Sequence, residues 1–180
     1  MSRKLKPVLQ GQLDGLCGIY AIINALRFLG AVKSHDEAIE AFASIVDELE
    51  HQCPLNERIL YGTEIQEIDV VMRKIVRRQY GLQVSTPFRS RCAQVTLESY
   101  VAEARTFLHE NRGIIFTSLD GFHDHWTLIR EVTDRSFLLF DSDRTYWLRF
   151  SNTFVSKRKP DGFKRFHLLT PYDTHFLWVE

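Results

Sequence analysis

Apolar residues fall on nearly every side of residues 16–29, a pattern that predicts a helix buried all round rather than a surface helix. Gly30 follows as its stop. Ser34 with Glu37 forms a capping box ahead of a second helix that runs to Leu49. Residues 51–60, with Pro54 and Asn56, read as a loop. Thr63 with Gln66 reads as a second capping box for a helix over 65–80, ended by Gly81. A short strand is expected over 82–88. Thr96 then caps a fourth helix over 97–110, which Asn111-Arg112-Gly113 stops.

The period changes in the second half. Residues 114–119 are a compact run of β-formers, and Asp120-Gly121 reads as a turn. Residues 125–132 and 136–141 are expected to pair as a hairpin across Thr133-Asp134-Arg135. Further strands are expected over 145–150, 166–170 and 176–179, with a polar loop at 157–162. Helices first and an antiparallel sheet second is an α+β pattern. No linker divides the chain, so one domain is expected, with a helical lobe over about 1–112 and a sheet lobe over about 113–180.

Composition changes this picture little. Of 180 residues, 44% are hydrophobic and 26% charged, which fits an ordinary globular chain with enough length for its own core. Formal net charge is zero, so the overall balance points to neither nucleic acid nor an anionic membrane. Arg73, Lys74, Arg77 and Arg78 make one basic run, read as a solvated helix face. The most apolar stretch, 19–29, is shorter than the roughly 20 residues a bilayer-spanning helix takes. No signal-peptide pattern opens the sequence, so a cytoplasmic protein is expected, or one secreted as an effector without a cleaved leader.

Cysteine usage carries the chemistry. Cys17, Cys53 and Cys92 are too few and too scattered for a disulfide framework or a zinc site. Cys17 follows a glycine-containing loop and falls at the start of the buried helix. There the partial positive charge and free N–H groups of a helix end favour a thiolate. The same N–H groups suit an oxyanion. A free cysteine is also a small buried hydrophobe, so Cys17 alone decides nothing. His125 opens one strand of the expected hairpin, and Asp141 closes the other. That pairing makes them near cross-strand neighbours, the base–orienter relation of a Cys-His-Asp triad. Trp126 alternates to the face opposite His125, where a core role is expected. Cys53 and Cys92 lack a helix start and read as structural.

The order of Gln12, then Cys17-Gly18 at a helix start, His125 at a strand start and Asp141 on the next strand resembles the papain-like cysteine peptidase superfamily. Residues 12–26, with Asn24 in the helix, resemble the opening of Josephin-type deubiquitinases and of bacteriocin-leader peptidases. His125-Trp126 and Asp141-Ser142 are similar to elements of ubiquitin-like-protein proteases, in which the cysteine instead follows the histidine. The resemblance implies a papain-like fold with the helical lobe packed on the sheet, and a protein or peptide substrate without metal or organic cofactor. It also implies a glutamine amide completing the oxyanion hole. Gln12 is the match and Gln10 its rival, because Gly11 stands at the six-residue step before the cysteine that many members give to glutamine. His123 and Asp143 are rivals to His125 and Asp141. The same triad serves glutamine deamidation and acyl transfer, and a non-catalytic binding domain can use the same scaffold. Iodoacetamide near pH 6 is expected to label Cys17 rapidly and ahead of the other cysteines. Equal, slow labelling of all three favours the binding domain.

Overall fold

The computed structural model describes residues 5–11, 14–121, 124–155 and 166–180. It is an α+β structure. Five α-helices, α1 (Cys17–Phe28), α2 (His35–Glu50), α3 (Leu55–Tyr61), α4 (Ile65–Val71) and α5 (Leu97–Glu110), accompany one eight-stranded sheet among the described residues. The strands are β1 (Gln83–Ser85), β2 (Gly113–Gly121), β3 (His125–Val132), β4 (Ser136–Leu139), β5 (Trp147–Arg149), β6 (Thr153–Phe154), β7 (His167–Leu169) and β8 (His175–Trp178). Their order is β1-β8-β2-β3-β4-β5. β7 pairs antiparallel with the far end of β2 and parallel with β6, the one parallel pair described.

The sheet has helices on both faces. Ile114, Phe116, Leu128 and Leu177 meet α1, α2 and α4 in one core. Ile115, Ile129, Phe137 and Phe176 meet α5 in a second core, with Phe88 and Tyr100 stacked at 4.7 Å. α1 packs on β2 and β3, and its Ile19, Ile22 and Leu26 are fully buried. Each such side chain gains on the order of 2 kcal/mol from burial. β1 comes from the first half of the chain yet pairs with β8, so the sheet draws on both halves.

Local signals explain several ends. The Ser34–Glu37 box caps α2, and Thr96 with Ser99 caps α5. Several expectations need correction. Residues 55–61 form α3 rather than a loop. α4 starts after Glu64, whose N–H donates to Glu67 at 2.8 Å, while Thr63 gives its carbonyl to the Trp126 indole instead. The helix expected over 65–80 changes winding at Met72 and continues to Gln79 as a π-helix. Asp120 and Gly121 are not a turn: pairing with Leu168 and His167 extends β2 through them. β4 stops at Leu139, short of Asp141. Tyr146 and Trp147, in the segment expected as a strand over 145–150, are exposed. The polar loop expected at 157–162 lies outside the described residues.

Asn24 ties the leading segment to this frame. It is fully buried in α1, accepts from the Val8 N–H at 2.7 Å and donates to the Val8 carbonyl at 2.9 Å. Asn24→Ala removes both partners and is expected to destabilise the fold by about 1–3 kcal/mol, read from urea denaturation.

Candidate active site

Three local features place Cys17. α1 is held by burial on nearly all sides. Leu16, the residue before it, has no side chain to cap the helix, so the first-turn N–H groups beside Cys17 lack a side-chain cap. The third feature is close approach. A Cβ on Gly15 would sit 2.7 Å from the Gly62 nitrogen, and one on Gly18 would sit 2.3 Å from Thr63 Oγ1. Two missing side chains thus let residues 62–63 pass against the helix start. The Gly15 N–H donates to Ile59 at 2.7 Å and locks the C-terminal end of α3 there.

His125 and Asp141 are joined by the sheet register. Near the turn, Glu131 pairs with Leu138; past a bulge, Ile129 pairs with Leu139. The register beyond the bulge continues in the bond from the Phe140 N–H to the Leu128 carbonyl, 2.9 Å. It brings Asp141 opposite Thr127 and diagonal to His125. Without the one-residue shift, Asp141 would lie opposite Leu128 and turn to the other face. His125 Nε2 stands 2.7 Å from Asp141 Oδ2, and Thr127 Oγ1 donates to the same oxygen at 2.5 Å. Asp141 Oδ1 accepts the N–H groups of Asp143 (2.8 Å) and Thr145 (3.2 Å). Four donors therefore fix the carboxylate.

With Nε2 committed to Asp141, Nδ1 is the His125 nitrogen left for the thiol of Cys17, which lines the same cleft and interacts with the imidazole. Burial pulls the imidazole toward neutrality. The bond to Asp141, and then Cys17 and the charge of Asp141, outweigh it and push the ring up to about 10. Burial also opposes ionisation of Asp141, but the His125 bond and charge, with the Thr127 donor, hold it below the usual carboxylate range.

A cleft of about 410 Å³ opens beside Cys17 and His125. Leu60 (65% exposed) and Tyr61 (80% exposed) line it, as do Asp120, Asp124 and Asp173. Burial, then repulsion from Asp124 and Asp173, pushes the Asp120 carboxyl up. A larger cavity, about 660 Å³, lies at edge strand β5 and touches none of these residues.

Of the residues singled out from the sequence, Cys17, His125 and Asp141 come together. Asp143 is exposed and gives Asp141 its backbone N–H. Gln12 and His123 lie outside the described residues. Gln10 does not line the cleft; its amide donates to the Asp14 carbonyl at 2.5 Å, and its N–H to Ser142. Trp126 turns to the core face, stacks on Phe116 at 5.0 Å and donates to Thr63 at 3.0 Å. Cys53 sits beside the Arg58 guanidinium at 2.9 Å, away from the cleft. Thr127 went unnoticed in the sequence. Strand alternation was its signal, since a residue two beyond a candidate histidine shares its face. No family model matches the chain, and neither does any curated protein.

The pair makes stability depend on pH with a definite sign. His125 sits above its unfolded value of 6.5, so its contribution is complete below about pH 6.5 and is lost as pH rises through about 10. The melting-temperature gap between the native protein and His125→Gln is therefore expected to narrow from pH 6.5 to 10, as read by calorimetry.

Proposed function

We propose that the chain is a papain-like cysteine hydrolase that cleaves a peptide or isopeptide bond in a protein substrate. One observation carries this reading: the thiol at an uncapped helix start shares a cleft with an imidazole whose Nε2 is fixed by a fully satisfied carboxylate. That is the nucleophile–base–orienter chain of thiol hydrolases.

In this reading His125 Nδ1 takes the proton of Cys17, and the thiolate attacks the substrate carbonyl carbon. The carbonyl oxygen becomes an oxyanion facing the Cys17 N–H, with Gln12 as the second donor. The imidazolium then protonates the leaving amine, and the C–N bond breaks to leave a thioester. Water, deprotonated by His125, attacks the thioester and restores the thiol. Asp141 holds the ring orientation and stabilises its positive charge in both halves. Exposed Leu60 and Tyr61 offer apolar surface to a polypeptide laid across the cleft.

The test is cleavage of a denatured-protein peptide library and of isopeptide-linked ubiquitin conjugates, read by mass spectrometry. Cys17→Ala and His125→Ala are expected to lower turnover by about 10³-fold or more with unchanged circular dichroism, and Asp141→Asn by less. Full turnover by Cys17→Ala sinks the assignment. Mass gain at glutamine without chain cleavage replaces it with deamidation.

A further inference from the structure

The exposed basic run of the π-helical segment borders a pocket. Arg73 and Arg77, about one turn apart, line this space of about 400 Å³ between that segment and β1, whose Val84 joins Met72 in the wall. The pocket also reaches Thr86 and Arg89. Its positive charges are not equivalent. Arg89 is engaged: two nitrogens donate to Asp69 at 2.7 and 2.9 Å, a third donates to the Tyr172 carbonyl, and the guanidinium lies over the Tyr172 ring. His175 also bonds Asp69, at 2.8 Å. Lys74, in the same run, pairs with Glu48. Arg73 and Arg77 are exposed and have no acidic partner among the described residues.

We infer that this pocket is a docking site for an acidic, extended peptide segment, whose Asp or Glu carboxylate sits between Arg73 and Arg77. Charge complementarity argues for an anion, because Arg73 and Arg77 line a concave surface whose one lining carboxylate, Asp69, is already engaged by Arg89 and His175. The lining favours a carboxylate over a phosphate, since the Asp69 carboxylate within it repels a dianion more than a monoanion. Met72 and Val84 give apolar contact to side-chain methylenes. Among the described residues β1 ends the sheet and pairs with β8 alone, so an extended segment can lie along it. The site lies apart from Cys17 and does not depend on hydrolysis.

The test is fluorescence anisotropy of fluorescein-labelled hexaglutamate with the full chain at low salt, with labelled hexalysine as the control. Saturable binding of hexaglutamate alone is expected. It should weaken about tenfold or more in Arg73→Ala/Arg77→Ala and stay unchanged in Arg78→Ala and Cys17→Ala. All four residues leave room for a folded chain, which circular dichroism checks for each variant. Absence of saturable binding, or equal weakening by Arg78→Ala, overturns the proposal. Displacement by inorganic phosphate at concentrations where acetate has no effect overturns the carboxylate assignment.

Discussion

Antiparallel pairing has a period of two, so one inserted residue reverses the face that every later side chain occupies. In β3 the insertion falls between Ile129 and Glu131, and the candidate site depends on it. The shift turns Asp141 to the face of His125 and Thr127 and leaves Phe140 to the apolar core with Leu128. Asp141 then organises the chain beyond β4, because the N–H groups of Asp143 and Thr145 close on its Oδ1. A carboxylate satisfied at both oxygens cannot swing away from the imidazole without breaking several bonds at once. Orientation of His125 is therefore a property of the sheet, not of a mobile side chain.

The second constraint is the burial of α1. A helix packed on nearly every side has little freedom to slide, so its first residue is held to the position of its core. Gly15 and Gly18 matter because backbone and Thr63 occupy the space a Cβ would take. Their absence of side chains brings α3 and the segment after it to the cleft. Charge is arranged on top of this frame. Residues 173–175 connect the two charged regions: Asp173 accepts from Ser118 at the acidic cleft, and His175 bonds Asp69 in the lining of the basic pocket. A formal net charge of zero conceals this division.

Much of the helical half was legible because its signals are local. Ser34 and Thr96 cap the helices that their spacing implies, and both glycines past the long helices, Gly30 and Gly81, have positive φ. The misses arose where a tertiary partner claimed a local group. Thr63 looked like a cap, but its carbonyl serves Trp126 and Glu64 takes the capping position. Asp120-Gly121 looked like a turn, but β7, about fifty residues away, pairs with it. α3 escaped notice because it is short, has no fully buried residue and starts behind a proline that read as a loop mark.

The sequence by itself determined a cysteine at the start of a largely apolar helix, a histidine at the start of a strand and an aspartate near the end of its hairpin partner. Those follow from periodicity and turn chemistry, which act over a few residues. Only the tertiary structure decided that Asp141 shares a face with His125, that Thr127 joins them, and that Cys17 and His125 line one cleft. A bulge is a single unpaired residue within an otherwise regular β pattern, and helix-to-sheet docking joins residues about a hundred positions apart. Neither leaves a periodic trace along the chain.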